Sequence, residues 1–193
     1  MSKTSCPKTI KIMLVGEGGQ GIQTIAKLLA KASFDQGYHS SYIPNFGTEQ
    51  RGGISIAFLQ ISCDTIISPK FNTADVFVIV SERNIERTLR YIGTKTSVVY
   101  DTELVNKSVV SKMKQYSKNL HQANAFSEAT KQLTERSFNI IILGILIGLV
   151  DVNLLNKVRT IMDKKFEKYY KKKPELKKSN QKALDIGINF TIK

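Results

Sequence analysis

A glycine-rich turn between a strand and a helix constrains the fold of this chain most strongly. Residues 9–15 form a short apolar run rich in strand formers, and residues 16–21 (Gly-Glu-Gly-Gly-Gln-Gly) follow at once. Apolar side chains then recur at helical spacing from Ile22 to Ala32. A strand, a tight turn and a helix in this order predict the opening of a βαβ unit.

Alternating strands and helices continue along the chain. Further strands are predicted at residues 39–43, 54–61, 75–81 and 96–100, with a helix at 82–91 and mostly helical structure from residue 123 onward. The second strand is expected to end at Pro44, because proline has no N–H to donate to a β-ladder. The pattern predicts an α/β fold: a doubly wound, mostly parallel sheet with helices on both faces and C-terminal helical additions.

Length and composition favour one globular domain. The chain has 193 residues, of which 41% are hydrophobic and 23% charged, a balance typical of a folded domain. Neither an internal repeat nor an interdomain linker is evident. We therefore expect a single domain over residues 1–193, with a basic helical C-terminal segment over about 153–193. Asp151 is expected to cap the helix that begins at Asn153.

The apolar segments indicate a cytoplasmic protein. Residues 1–10 lack the apolar core of a signal peptide. Residues 138–150 are the most apolar stretch, but this stretch is shorter than the ~20 residues that a membrane span requires. We expect a helix there that lies in the core and at a partner interface, and no membrane association.

The few cysteines and histidines limit what the chain can bind. Its two cysteines, Cys6 and Cys63, argue against a disulfide scaffold and for the reducing cytoplasm. A typical iron–sulfur cluster requires four cysteine ligands, so this chain alone is not expected to hold one. The two histidines are too few to suggest a zinc site.

A basic excess admits several kinds of partner. The formal net charge is +13, and much of it lies in lysine runs between residues 164 and 178. Nucleic acid, an anionic membrane and an acidic protein are all attracted by such a charge. Aromatic residues do not alternate with lysines along any predicted strand, so base stacking has no support. A solvated helical tail is the preferred interpretation, with a basic nucleic-acid-binding module as an alternative.

The glycine turn is suited to an anion. Glycines can take positive φ and let the backbone approach a ligand, while the start of the following helix presents free N–H groups. A nicotinamide dinucleotide site also requires an acidic residue at the end of the second strand. Residues 42–45 (Tyr-Ile-Pro-Asn) contain none. Two alternatives remain open at this stage: a tight turn without a ligand, and a free-standing Rossmann-like nucleotide-binding oxidoreductase.

A second glycine-containing loop spans residues 46–53 (Phe-Gly-Thr-Glu-Gln-Arg-Gly-Gly). If the first two strands are parallel neighbours, this loop lies beside the glycine turn, because ligands bind at the rim formed by strand carboxyl ends. Arg51 could then bind a phosphate or carboxylate in bidentate fashion. Glu49 could act as a base or orient Arg51. The alternative is a surface Glu–Arg pair worth under ~1 kcal/mol.

Both glycine segments resemble the γ subunit of 2-oxoacid:ferredoxin oxidoreductases. Residues 16–24 resemble the family opening G-x-G-G-Q-G-I/V-x-T/L, and residues 46–53 resemble its loop F/Y-G-x-E-x-R-G. The likeness spans roughly residues 9–190. Shorter matches lie at Ala74-Asp75, at Phe138-Asn139 with Leu143-Gly144, and at Asn180, Ala183 and Gly187.

The resemblance implies a subunit of an enzyme that oxidatively decarboxylates a 2-oxoacid, such as pyruvate, 2-oxoglutarate or 2-ketoisovalerate, to an acyl-CoA. Electrons pass to ferredoxin. Thiamine diphosphate, Mg and the iron–sulfur clusters are expected in the partner subunits alpha and beta, with a ferredoxin-like delta subunit as a further candidate. This chain would bind no cofactor alone and would be inactive alone. Its expected ligand is coenzyme A, and it would help to close the active site.

The family's functional positions can be carried over residue by residue. The resemblance implies cofactor-binding positions at Gly16, Gly18, Gly19, Gln20, Gly21, Arg51 and Gly52. Glu49 and Arg51 are the candidate catalytic residues, and no metal ligand is expected. Arg51 and the turn amides are predicted to contact the CoA phosphates or the rim of the partner's active site.

Overall fold

A computed structural model of the chain describes residues 9–47, 52–134 and 137–191. Within them, one sheet has the strand order β2-β3-β1-β4-β5-β6. The strands are β1 (Ile10–Glu17), β2 (His39–Phe46), β3 (Ile54–Ser62), β4 (Ala74–Ile79), β5 (Ile92–Asp101) and β6 (Leu120–Ala123). Strand β3 runs antiparallel to both of its neighbours, β1 and β2, and the pairs β1–β4, β4–β5 and β5–β6 are parallel. The mostly parallel α/β sheet predicted from the sequence is confirmed.

Helices cover both faces of the sheet. They are α1 (Ile22–Asp35), α2 (Ile85–Thr88), α3 (Lys107–Lys114), α4 (Ala125–Gln132), α5 (Phe138–Val150), α6 (Leu155–Lys172) and α7 (Glu175–Thr191). Helices α1 and α4 to α7 pack on one face, while α2 and α3 pack on the other. The doubly wound arrangement and the C-terminal helical additions are therefore both present.

Strand β1 divides the core into two halves. Ile12 and Leu14 point to the face covered by α1, and Met13 and Val15 point to the face covered by α2 and α3. All four side chains are buried. Alternate side chains of a strand face opposite sides of the sheet, so a strand covered on both faces must be apolar at every position. This requirement explains why residues 12–15 of β1 are all apolar.

Helix α5 is the centre of the larger core half. Nine of its thirteen residues are buried, as the apolar stretch 138–150 predicted. It packs closely against α7 through two glycines. A Cβ on Gly187 would lie 2.0 Å from the carbonyl oxygen of Ile141, and one on Gly144 would lie 2.3 Å from that of Leu184. The two backbones can approach this closely only because α5 has a glycine at position 144 and α7 has one at position 187, so that no Cβ lies between the helices.

Asp151 caps the short 3-10 turn between α5 and α6 and not a helix beginning at Asn153, because α6 begins at Leu155. The Asp151 carboxylate accepts a hydrogen bond from the amide of Asn153 at 2.9 Å, at the start of a short 3-10 turn that leads into α6. The hydroxyl of Tyr38 donates to the same carboxylate at 3.0 Å. Asp151 therefore also ties the chain after α1 to the C-terminal helices.

Two expectations about β2 are wrong. Pro44 does not end the strand, which continues to Phe46. Strand β2 lies at the sheet edge, where the lack of an N–H on the open side costs no ladder bond. Strand β2 is also not a neighbour of β1, because the antiparallel strand β3 lies between them.

Other differences are local. Residues 82–91 form the four-residue helix α2 with a 3-10 turn on each side instead of one helix. Strand β6 has no counterpart among the predicted strands, because residues 120–123 (Leu-His-Gln-Ala) lack an apolar run. Cys63, just after β3, is disulfide-bonded, so the argument against disulfides does not hold at this position.

The basic C-terminal segment forms two of the helices. Ion pairs link α6 to α7, from Lys177 to Asp163 at 2.8 Å and from Arg159 to Asp185. The hydrogen bond to Asp163 raises the pKa of Lys177. Among the described residues, no helix combines the length and the apolar character needed to cross a bilayer.

Replacing Gly187 by alanine should destabilise the protein. The added Cβ would force α7 away from α5, and extra atoms in a well-packed core typically cost about 1–3 kcal/mol. Urea denaturation of Gly187→Ala measures this loss. Lys182→Ala, an exposed change on the same helix, is the control and should stay within about 0.5 kcal/mol of the parent. Equal stability of the two variants would contradict the close packing of α5 on α7.

Candidate functional site

The carboxyl ends of β1 and β4 form the crevice where ligands bind in this type of fold. The two strands are parallel neighbours. The helix after β1 packs on one face of the sheet, and the helices after β4 pack on the other. The segments that leave the two strands therefore diverge and open a crevice at the rim, as doubly wound sheets do at a topological switch point.

The glycine turn lies at this rim. Gly19 and Gly21 have φ values of 101° and 77°, in the region that side chains disfavour. Gly18 and Gly19 are exposed, whereas Gly16 is buried within β1. Gly21 lies against α5, since a Cβ there would be 2.0 Å from Nδ2 of Asn139. Position 21 therefore requires glycine for two reasons: its φ is positive, and the Asn139 side chain occupies the space that a Cβ would need.

The Gln20 side chain holds the turn together. Its Oε1 accepts a hydrogen bond from the Glu17 amide at 2.8 Å, and its Nε2 donates to the Val80 carbonyl at 3.0 Å. The side chain therefore joins the end of β1 to the end of β4. Gly16 leaves space for it, because a Cβ there would lie 2.7 Å from Gln20 Oε1. Gln20 contributes to the site by shaping the turn.

The second glycine loop lies beside the first. The amide of Gly18 donates to the carbonyl of Gly53 at 2.8 Å, and the amide of Gly47 donates to the carbonyl of Ile54 at 2.9 Å. The predicted proximity of the two loops is correct, although the reason is different. The described ends of the loop, at Gly47 and Gly52–Gly53, adjoin the antiparallel pair β2–β3, and β3 pairs with β1. Glu49 and Arg51 lie outside the described residues.

A charged cluster that the sequence analysis missed connects the two loops. The Ser81 hydroxyl donates to Glu17 Oε1, and Arg83 Nη1 lies 3.7 Å from Glu17 Oε2. The same guanidinium donates to the carbonyl of Gly52 at 3.0 Å. Arg83 is largely exposed, so the ion pair itself adds little stability. Its effect is to fix Gly52 and to place a positive charge at the rim.

Two further arginines lie near the tip of the hairpin. Arg87 and Arg90 line a cavity of ≈ 200 Å³ together with Phe46 and Gly47. Arg90 also donates to the hydroxyl of Tyr91 at 3.0 Å. A signal for these residues was available in the sequence. They follow the strand predicted at 75–81, and segments after the carboxyl end of a parallel strand lie at the binding rim.

Backbone amides remain available at the turn. The amides of Gly18 and Gln20 are used within the site, by Gly53 and Glu17. No described residue accepts a hydrogen bond from the amides of Gly19, Gly21 or Ile22. These amides lie at the start of α1, where the helix carries a partial positive charge. With the three arginines, this arrangement favours a negatively charged ligand.

One buried carboxyl at the end of β5 has a structural role. Asp101 accepts hydrogen bonds from the amides of Phe126 and Glu103 at 2.9 and 3.0 Å. Burial raises the pKa of Asp101, and these amides act in the opposite direction. Its bonds hold the start of α4 and the turn after β5. Across the described part of the chain, no group of three or more His, Cys, Asp or Glu side chains is placed to hold a metal ion.

Comparisons with known proteins agree with this architecture. The family model described as Pyruvate ferredoxin/flavodoxin oxidoreductase matches residues 11–190. The Pyrococcus abyssi protein named Pyruvate/ketoisovalerate oxidoreductases common subunit gamma is 30% identical over 177 residues, which cover 90% of this chain and 92% of that protein. Ketoisovalerate oxidoreductase subunit VorA of Methanothermobacter thermautotrophicus is 29% identical over 142 residues, which cover 72% of this chain and 28% of VorA.

A solved structure shares the fold. The 2-oxoglutarate:ferredoxin oxidoreductase from Magnetococcus marinus, with 2-oxoglutarate, coenzyme A and succinyl-CoA bound, superimposes with a TM-score of 0.83 at 23% identity. The match covers 96% of this chain and 31% of that one. This chain therefore spans less than a third of VorA and of the Magnetococcus protein.

Removing the Gln20 side chain should loosen the turn. In Gln20→Ala, the Glu17 amide and the Val80 carbonyl lose their partner, and we expect a loss of about 1–3 kcal/mol in the free energy of unfolding. Urea denaturation measures that loss, and hydrogen exchange should show faster exchange of the Glu17 amide. The control is Gln36→Ala, an exposed glutamine beyond α1. If Glu17 exchanges equally in both variants, Gln20 does not hold the turn.

Proposed function

Because this chain belongs to the pyruvate ferredoxin/flavodoxin oxidoreductase family, we propose that it is the gamma subunit of a 2-oxoacid:ferredoxin oxidoreductase. The observation that carries the proposal is the family match over residues 11–190, combined with two glycine loops joined at the crevice by the Gly18–Gly53 hydrogen bond. We further propose that residues 1–193 form a single gamma-type domain, with the basic segment as its C-terminal part.

The proposed reaction is the CoA-dependent oxidative decarboxylation of a 2-oxoacid to an acyl-CoA. The relatives are named for pyruvate, ketoisovalerate and 2-oxoglutarate, which defines the class of substrate. Thiamine diphosphate, Mg and iron–sulfur clusters would reside in alpha, beta and ferredoxin-like delta subunits, and ferredoxin would accept the electrons. The cofactors supply the carbon and electron-transfer chemistry, while this chain supplies binding groups. A cytoplasmic location is part of the same proposal.

The site residues have a defined task in this proposal. The amides of Gly19 and Gly21 and the Arg51 guanidinium would bind phosphate groups of coenzyme A, or a carboxylate at the rim of a partner's active site. Gly16, Gly18, Gln20 and Gly52 would shape the loops, and Glu49 would orient Arg51 or act as a base. The solved neighbour with coenzyme A bound supports this ligand, since phosphates suit helix N-termini and guanidinium groups.

The other two functions have little support. A nicotinamide site requires an acidic residue at the end of β2, yet the strand ends at Phe46 without one and is separated from β1 by β3. A nucleic-acid module would combine lysines with stacking aromatics on one face. Phe58 instead makes edge-to-face contacts with Phe71 and Tyr91. Tyr169 is exposed among the lysines of α6, but a single ring does not form the row of stacking platforms that a nucleic-acid strand requires.

Copurification from the native host tests the subunit assignment. We expect this chain to elute with brown, cluster-bearing partners at fixed stoichiometry, and the complex to reduce a dye only when both a 2-oxoacid and coenzyme A are present. The isolated chain should be colourless and inactive. Elution of the native chain as a partner-free monomer would contradict the assignment.

Loss of the Arg51 charge should weaken CoA use selectively. In the purified complex, Arg51→Met is expected to raise KM for coenzyme A about tenfold or more, because a charge-assisted hydrogen bond is worth roughly 1.5–3 kcal/mol. KM for the 2-oxoacid should be unchanged. Lys114→Met, an exposed cation at the end of α3, is the control. Equal KM values for coenzyme A in the two variants would remove Arg51 from the site.

A further inference from the structure

A large cavity lies away from the hairpin loop, beneath the junction of α6 and α7. It has a volume of ≈ 650 Å³, and its walls come from the starts of α1, α5 and α7 and from the end of α6. Small-molecule sites commonly have this size, about 300–1,000 Å³. The cavity lies next to the glycine turn through Asn139, but none of its described lining residues is among those assigned above to coenzyme A.

One wall is aromatic and has an open face. Phe166 lies with its ring centroid 6.5 Å from that of Tyr169 and 6.0 Å from that of Tyr170. Tyr170 is buried, and its hydroxyl accepts a hydrogen bond from Nδ2 of Asn180 at 2.9 Å. Tyr169 is 64% exposed. The partly buried Phe166 and the buried Tyr170 thus support Tyr169 as a platform on which a flat ring could stack, and bases bind proteins in this way.

The polar groups of the cavity suit a purine and an anion. Asn139 lines the cavity, and its Nδ2 lies against Gly21 of the glycine turn. Asn180 uses only one of its amide hydrogens, on Tyr170. Asparagine amides pair well with the N6 and N7 edge of adenine. Lys173 is the charged group among the described lining residues, and none of them is acidic.

We propose that this cavity binds an adenosine phosphate, with the base stacked on Tyr169, its edge at Asn139 and Asn180, and the phosphate at Lys173. Two sources share this chemistry: a free adenine nucleotide and the adenosine end of coenzyme A. The coenzyme A source rests on the proposed function, whereas AMP binding is measured on the chain without partner subunits, so the cavity proposal and the subunit assignment can fail separately. A ligand held by Asn139 would also restrain the glycine turn, because this side chain packs against Gly21.

Titration of the full chain with AMP tests the proposal. Calorimetry should show one site per chain, and Tyr169→Ala should weaken AMP binding about tenfold, the usual order for loss of one stacked ring. Lys173→Gln should weaken AMP but leave adenosine unchanged, since adenosine carries no phosphate. Tyr116→Ala is the matched control, because Tyr116 is an exposed tyrosine just beyond α3, on the other face of the sheet.

Competition identifies the source of the ligand. If coenzyme A displaces AMP and is itself weakened by Tyr169→Ala, the cavity holds the adenosine end of the coenzyme. If coenzyme A leaves bound AMP in place, the ligand is a free nucleotide. The proposal is overturned if AMP does not bind, if inorganic phosphate binds as tightly as AMP, or if Tyr169→Ala and Tyr116→Ala bind AMP equally.

Discussion

The antiparallel pairing of β3 with β1 determines the geometry of the whole site. Ile54 lies opposite Glu17 in the ladder, and Ser55 lies opposite both Gly16 and Phe46. This register brings the tip of the β2–β3 hairpin to the carboxyl end of β1. The Gly18–Gly53 hydrogen bond then becomes possible, and each loop supports the other. A shift of one residue would turn the buried side chains of β3 to the opposite faces and separate the loops.

Side chains in the crevice stabilise a backbone surface that can receive an anion. The Gln20 side chain accepts a hydrogen bond from the Glu17 amide, and the Arg83 guanidinium donates one to the Gly52 carbonyl. The amide of the exposed Gly19 has no hydrogen-bond partner among the described residues, whereas the adjacent amides of Gly18 and Gln20 are bonded within the site. Burial on both faces of the sheet makes this rim rigid, while the arginines after β4 make it positive. Rigidity and charge together are what a phosphate site requires.

Much of the fold could be predicted from local patterns, and specific elements show the limit. The glycine turn, the buried strand β4 and the apolar helix α5 each have a strong signal within a few residues. The order of the strands had no such local signal, because periodicity identifies a strand but does not show its direction or which strand lies beside it. The prediction that β2 ends at Pro44 was wrong for the same reason. A proline interrupts a strand inside a sheet but not one at the sheet edge, and the sequence does not show where β2 lies. The close contact of Gly144 with Gly187 joins positions far apart in the chain.

The sequence by itself determined the family, the class of fold and the two glycine segments, because backbone freedom and apolar periodicity are properties of neighbouring residues. Only the tertiary structure decided what those segments touch. It assigned Gln20 to the support of the turn, added Arg83 to the rim, and formed a cavity from the ends of four helices. Those outcomes arise from contacts between residues distant in sequence, whose geometry is set by packing and hydrogen bonding across the whole domain.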